Sequence, residues 1–213
     1  MEICFMLSLQ EYVNDPCGTL SIPYWKSKGL IVPENMKIIH DRDYFSGMLS
    51  DYNDEVYFRL FHNLKNIGQI NMSDMEIVFG VSDIDEFVRL INASYSDLSV
   101  TKEQMESYRK TPVYRSDLWI LLREKNSDTV VAGGIADYDR ETKELILEWI
   151  QVLPDYRKKG YGQLVVKGLL SKMQNIAEFA TVSGKVSNLT NPQGLYRKCG
   201  FTGNDVWHVL TQK

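Results

Sequence analysis

The run Arg157-Lys158-Lys159-Gly160-Tyr161-Gly162 carries the chemistry most easily read from this sequence. Three cations and two glycines stand between an apolar strand-like segment ending near Leu153 and an apolar helix-like segment starting near Gly160. The first turn of a helix leaves backbone N–H groups without partners, and its dipole favours anions. Glycine at 160 and 162 removes the Cβ atoms that would stop the backbone closing around a pyrophosphate. The combination predicts a seat for a di- or triphosphate group; the plainer reading is a solvated basic loop. Two other phosphate motifs fail. A Walker loop needs Ser or Thr after Gly-Lys and an earlier glycine, whereas Val186 follows Gly184-Lys185. A Rossmann fingerprint needs a small residue where Val165 stands, and an acidic one about 20 positions on, where Ala180 and Thr181 stand.

The elements that must position this loop are regular from Met75 onward. Glu76–Phe79 reads as a strand, and Ser82 and Asp83 can cap a helix carrying Ile84, Phe87, Val88, Ile91 and Ala93. Thr101 with Gln104 forms a capping box that opens a second, short helix. Leu118–Leu122, Thr129–Ala136 and Leu145–Val152, joined by the polar turns Asn126-Ser127-Asp128 and Asp139–Lys143, predict an antiparallel meander. A helix from about Gly160 to Met173 presents Leu164, Val165, Gly168 and Leu169 on one side, and Phe179–Val186 follows as a strand. Pro192 opens a helix over Gln193–Lys198 that Gly200 ends, and Val206–Thr211 is the last strand. The order β, α, α, β, β, β, α, β, α, β predicts an α+β fold: a mixed, mostly antiparallel sheet flanked by helices.

Residues 1–73 have a different texture and are expected to form an irregular α/β extension to a domain over 74–213. Pro16, Gly18, Pro23, Gly29 and Pro33 interrupt any long element there. Strand-like pieces fall at Leu20–Trp25 and Met36–His40, and Val56, Leu60, Phe61 and Leu64 suggest a helix around Glu55–Leu64. The aromatics of Pro23-Tyr24-Trp25-Lys26 and Tyr57–His62 suit either a small core over a sheet edge or the wall of an amine pocket.

Composition narrows the partners. Lys and Arg number 24 against 28 Asp and Glu, a formal charge of −4, which argues against nucleic acid as the main partner. No apolar run reaches the 18 or so residues that span a bilayer, so no membrane partner is expected. The start, with Glu2 and an apolar run broken by Ser8 and Gln10, does not read as a signal peptide. Cys4, Cys17 and Cys199 are far apart, and with three histidines no zinc spacing exists, so no metal and a cytoplasmic location are expected.

Two blocks together bring a family into view. Ile150-Gln151-Val152-Leu153-Pro154 followed by Arg157 to Gly162 resembles the acetyl-CoA loop of the GNAT N-acetyltransferase superfamily, patterned Arg/Gln-x-x-Gly-x-Gly/Ala. Leu195-Tyr196-Arg197-Lys198-Cys199-Gly200-Phe201 resembles that family's Leu-Tyr-x-x-x-Gly-Phe helix end. The helix and strand between the blocks, and the element order from Met75, are also similar to the family's. The resemblance covers roughly residues 75–213.

It implies an acetyl-CoA-dependent N-acetyltransferase acting on a primary amine, small molecule or peptide, by direct attack; the alternative is a non-catalytic acyl-CoA-binding module. Ile150, Gln151 and Val152 are implied to pair their backbone with the pantetheine arm. Lys158, Lys159, Gly160, Tyr161, Gly162 and Gln163 are implied to hold the pyrophosphate through backbone amides, with Arg157 adding charge. Tyr196 is implied to protonate the leaving thiolate, and Glu148 to be the base, with Asp137 and Tyr138 behind it as alternatives. Strand alternation sets Glu148, Ile150 and Val152 on one face and Leu147, Trp149 and Gln151 on the other. Asn191 resembles an asparagine that binds cofactor before the tyrosine helix, although it stands closer to Tyr196 than is usual. The segment after Phe201 is short for the family's final two strands, which points to residues 1–73 as the source of a substrate-side wall. A homodimer through an exposed sheet edge is a further expectation.

Overall fold

A computed structural model describes residues 7–68, 72–96 and 98–213; Cys4 and most of the chain start lie outside them. From Met75 the observed order follows the pattern of the sequence. Strand β3 (Met75–Phe79) leads to helix α3 (Ile84–Ser94), whose first turn is capped by the Asp83 side chain accepting from the Asp85 amide, and to α4 (Lys102–Tyr108), which opens on the Thr101–Gln104 capping box. Strands β4 (Trp119–Glu124), β5 (Val130–Asp139) and β6 (Glu144–Val152) form the antiparallel meander. Helix α5 (Tyr161–Met173), strand β7 (Phe179–Lys185), helix α6 (Pro192–Lys198) and strand β8 (Thr202–Gln212) complete the chain.

The earlier residues join the same sheet. Helix α1 (Leu9–Asn14) opens on a Ser8–Glu11 capping box, and strand β1 (Met36–His40) lies where its pattern places it. Two expectations are corrected. Leu20–Trp25 is not a strand: Pro23 caps the four-residue helix α2 (Tyr24–Ser27) instead. The helix expected around Glu55–Leu64 is strand β2 (Tyr52–His62). Its residues pair with β8 on one side and β7 on the other, partners distant in sequence and invisible to a local period. Because β2 is covered on both faces, Phe58, Arg59 and Leu60 are all buried, and the two-residue alternation that would have marked a strand is hidden.

The strand order is β1-β8-β2-β7-β6-β5-β4-β3, antiparallel except for β6 with β7. β2, from the first third of the chain, sits between β7 and β8. Two apolar layers cover the sheet. Leu164, Val165, Leu169 and Leu170 of α5 pack with Leu147, Ala180, Val182, Phe58 and Leu60 on one face. Phe87, Leu90 and Ile91 of α3 pack with Trp119, Leu121 and Ile135 on the other. Side chains so buried each contribute about 1.5–3 kcal/mol relative to exposure, and they fix α3 and α5 where the site needs them.

On the α3 face, toward the β2 end, a buried polar cluster fastens α1. The Glu144 carboxylate accepts from the Tyr12 hydroxyl at 2.7 Å and from the Thr181 hydroxyl, and faces the Arg59 guanidinium at 3.5 Å. Arg59 also donates to the Pro16 carbonyl at 3.0 Å and the Ser183 hydroxyl at 3.0 Å. A buried charge without such partners would be strongly unfavourable, so α1 and the Pro16 turn cannot leave the sheet cheaply.

Candidate active site

The site begins where β6 and β7 part. Their parallel pairing runs from Glu144 with Phe179 to Leu147 with Val182 and stops there. Beyond that point β7 stays with β2, through Ser183 with Arg59 and Gly184 with Phe58. β6 stays with β5, but Ile135 and Ala136 face Trp149 and Leu147, so Glu148 is an extra, bulged residue. A bulge bends its strand and raises the local twist. The result is a wedge-shaped cleft with the β6 backbone from Glu148 to Val152 unpaired along one wall. Simple alternation along the strand does not foretell the bulge: Ile150 and Val152 share a face, with Trp149 opposite, as expected, but Leu147 packs on the same side as Ile150.

At the wide end of the cleft stands the start of α5. Lys158 and Gly160 both have left-handed backbones (φ 60° and 89°), and the first intrahelical bonds run from Gln163 and Leu164 to the Gly160 carbonyl. The Tyr161 and Gly162 amides, lacking a preceding helical turn, face outward. A Cβ on Gly160 would lie 2.9 Å from Met72 Cε, and one on Gly162 would lie 3.1 Å from Leu195, so the two glycines are what let this turn close against its neighbours. Lys158 and Lys159 are exposed, Lys159 with its ammonium 5.0 Å from the Tyr156 ring centre. Arg157 serves the frame instead. Its guanidinium donates to the Val152 carbonyl at 3.2 Å and to the Ser94 carbonyl, tying the end of α3 to the end of β6.

Gln151 is 3% exposed, and neither side-chain amide atom has a hydrogen-bond partner among the described residues. Its backbone pairs with Gly133 of β5. Asn191 has φ 53° and caps α6, its side-chain oxygen accepting from the Gly194 amide at 3.0 Å. Its short distance from Tyr196 is thus that of a helix cap.

Tyr196 of α6 is 6% exposed, with its ring 6.2 Å from Phe58 and 5.6 Å from Phe201. Burial holds its phenol well above the usual range, with the Tyr95 phenol, Cys199 and the Glu148 charge adding to the effect. The Tyr95 hydroxyl donates to the Ile150 carbonyl at 3.4 Å. Glu148 is paired at 2.5 Å with Lys26, which lies more than a hundred residues earlier and carries no local mark of that position. Asp137 on β5 is 6% exposed, and its carboxyl is pushed up to about 7 by burial and by the Glu148 charge, against the pull of Lys26. Tyr138, the other alternative base, points elsewhere: its hydroxyl donates to the Ile176 carbonyl at 3.2 Å.

A cavity of about 230 Å³ opens beside the parting of the strands, with Leu147, Glu148, Val182 and Ser183 on its cleft side. Its other walls come chiefly from the first third of the chain, Ile22, Pro23 and Lys26 before β1 and Tyr57 and Arg59 of β2, together with Trp207 and Val209 of β8. The aromatic segments singled out in the sequence therefore divide. Pro23, Lys26 and Tyr57 line the cavity, while Phe58 is core and Phe61 stacks on Phe179 at 5.7 Å.

The remaining candidate chemistry is structural. Cys17 and Cys199 are buried, which pushes their thiols up to about 12 and about 11, so neither is a ready nucleophile. His208 lies between Asp54 and Asp41, His40 meets Asp205, and His62 accepts from the Leu64 amide. Among the described residues no group of three or more His, Cys, Asp or Glu could hold a metal, and no helix is long and apolar enough to cross a membrane.

A parallel strand pair that splays at a bulge, with a glycine-opened helix at its mouth and a tyrosine between, defines an acetyltransferase-type fold. Residues 115–203 match the acetyltransferase (GNAT) domain family. No curated protein sequence matches the chain. Among solved structures it is similar to a GCN5-related N-acetyltransferase from Sphaerobacter thermophilus, at 15% identity and TM-score 0.65, over 85% of this chain and 61% of that one. A GNAT-family acetyltransferase from Colwellia psychrerythraea matches at 17% identity and TM-score 0.61, over 83% of this chain and 64% of that one. The ribosomal-protein-S18-alanine N-acetyltransferase from Escherichia coli matches at 17% identity and TM-score 0.50, over 65% of this chain and 93% of that one. The chain thus spans less than two thirds of the length of the first two, and identities this low establish the fold alone.

Proposed function

We propose that this chain is an acetyl-CoA-dependent N-acetyltransferase that moves an acetyl group to a primary amine by direct attack. The observation that carries the reading is the cleft: an unpaired β6 edge leads from the start of α5 to a buried tyrosine and a paired carboxylate. The β6 backbone beyond Leu147 has no second strand partner and aligns an extended arm as an added strand would, chiefly through the Ile150 and Val152 amides, since their carbonyls already accept from Tyr95 and Arg157. The Tyr161 and Gly162 amides at the start of α5 take the pyrophosphate, with the Lys158 and Lys159 charges nearby, while the Gln163 amide is already bonded to the Gly160 carbonyl. The side chains of Arg157 and Gln151 are spent on the frame or buried. Bound there, acetyl-CoA supplies the thioester.

The attacking nitrogen must shed a proton, and a carboxyl that titrates near the working pH accepts it best. Glu148 faces the cavity and receives the ammonium; Asp137, close enough for the two charges to interact, shares the proton. As the C–S bond breaks, the Tyr196 phenol gives its proton to the sulfur, and burial ensures that it still carries that proton at neutral pH. Among the described residues the two thiols are buried and no serine stands in a nucleophile setting, which leaves direct attack as the favoured route.

Replacing Tyr196 by Phe should lower kcat by about 100-fold, the lower bound for loss of a positioned acid, while calorimetry shows acetyl-CoA affinity retained. Unaltered turnover would remove Tyr196 from the mechanism. Absence of any acetyl-CoA binding would remove the reading as a whole.

A further inference from the structure

From the Lys26–Glu148 pair at the cavity wall, we infer that the acceptor is an α-amino acid with an apolar side chain, its ammonium on Glu148 and its carboxylate on Lys26. The inference rests on the acetyltransferase reading of the same cleft and names the class of amine that enters it.

Three observations carry it. First, the cavity is lined chiefly by apolar residues, including Ile22, Pro23, Ile146, Val182 and Trp207, and at about 230 Å³ it falls below the roughly 300–1,000 Å³ of sites for drug-sized ligands. That volume suits one amino acid. Second, Glu148 is the one acidic residue among those lining it, beside two cations, Lys26 and Arg59. The Arg59 charge is answered beneath the surface by Glu144. A polyamine would bring several charges to a single carboxylate and set the rest against an apolar wall, which costs free energy without compensation. Third, Glu148 is already held by Lys26 at 2.5 Å, with both side chains partly buried. A simple amine that takes Glu148 strands the Lys26 ammonium. A zwitterion takes both partners at once, exchanging one ion pair for an alternating set of four charges, and the discrimination against other amines follows from the charge it would leave unpaired.

The opening of the pair is consistent with the chemistry. The ammonium that displaces Lys26 from Glu148 places its nitrogen beside Leu147 and Val182, where β6 and β7 part and where the thioester would end. The apolar side chain then points between Ile22 and Trp207.

Isothermal titration of the protein in the presence of CoA, with L-leucine, L-leucinamide, isopentylamine and spermidine as titrants, tests the inference. Leucine should bind at least about tenfold more tightly than the other three, in line with one charge-assisted hydrogen bond. Lys26→Met should bring the leucine and leucinamide affinities to within about twofold of each other, and Lys26→Arg should restore most of the gap, which a fold defect would not do. Equal binding of leucine and leucinamide to the unaltered protein, or preference for spermidine, overturns the inference. Thiol release from acetyl-CoA is then measured on the same four compounds. Release with isopentylamine or spermidine but no leucine preference keeps the acetyltransferase and discards the amino acid. Leucine-selective binding without release from any amine does the reverse.

Discussion

The residues with the strongest sequence signal do not all hold the roles that signal suggests. Arg157 opens the basic loop, yet it braces β6 against α3 through the Val152 and Ser94 carbonyls. Gln151 sits in the strand expected to bind the pantetheine arm, but its amide is buried with no partner among the described residues, a state that costs about 1–3 kcal/mol. Replacing Gln151 by Met, similar in length and without the amide, should therefore raise stability by about 1 kcal/mol in urea titrations, with acetyl-CoA affinity retained because the side chain is buried. A loss of stability would mean the amide is satisfied after all. Asp137 stands out in the sequence only as a secondary candidate, since nothing local marks a strand aspartate as buried beside another carboxylate. Its pH signature follows from the direction of its shift. The folded state holds the proton up to about 7, whereas an unfolded aspartate releases it near about 4. The stability it contributes is complete below about 4 and is lost as pH rises toward about 7. Asp137→Asn should thus flatten the fall in melting temperature between about pH 4 and about pH 7. In the proposed reaction, kcat/KM should rise through an inflection near about pH 7 that this variant displaces.

At the scale of elements, legibility follows the range of the interactions that form each one. Capped helices are plain because a cap is a contact across three residues: Asp83, the Thr101–Gln104 box and Pro192 with Gly200 are written side by side in the sequence. The meander β4 to β6 is plain for the same reason, its turns being short. β2 reads as a helix because its stability comes from β7 and β8, which lie more than a hundred residues away, and because burial on both faces erases the alternation. The β6 bulge is hidden as well, since the spacing of Leu147, Trp149 and Gln151 carries no mark of an inserted residue. That bulge and the two flanking strands make the cleft, so the cofactor loop is legible in advance while the cavity beside it is not. The Arg59–Glu144 pair on β2 and β6 offers a quantitative check. Arg59→Leu alone should destabilise the protein by about 3–5 kcal/mol by leaving Glu144 charged and buried, and adding Glu144→Leu should recover much of that loss. Additive losses in the double variant would show that the two charges are not coupled.

Across the whole molecule, the first third of the chain is both a piece of the sheet and a wall of the cavity. β2 occupies the space between β7 and β8, so β8 reaches the rest of the sheet only through it, and β1 is attached in turn to β8. Lys26, Pro23 and Tyr57 from the same third face Glu148 and Leu147 across the cavity. We therefore expect that residues 74–213, though they include the whole GNAT match at 115–203, do not stand alone as a folded unit. Without β2, strand β7 becomes an edge, and β8 loses its neighbours on both sides. Phe58 and Leu60, both fully buried, leave a gap against α5 and α6, and removing one such side chain alone costs about 2–5 kcal/mol. That loss is a large share of the roughly 5–15 kcal/mol by which domains are stable. A chain beginning at Ser73 should show no cooperative thermal transition and no acetyl-CoA binding by calorimetry, while a chain beginning at Leu7 keeps both. Supplying residues 7–68 as a separate polypeptide should restore the transition and the binding together, because the missing strand is inserted between two that are already present. If the shorter chain melts cooperatively by itself, β2 is an accessory to the fold, and the cavity wall it carries must be held in place by the Arg59–Glu144–Tyr12 cluster alone.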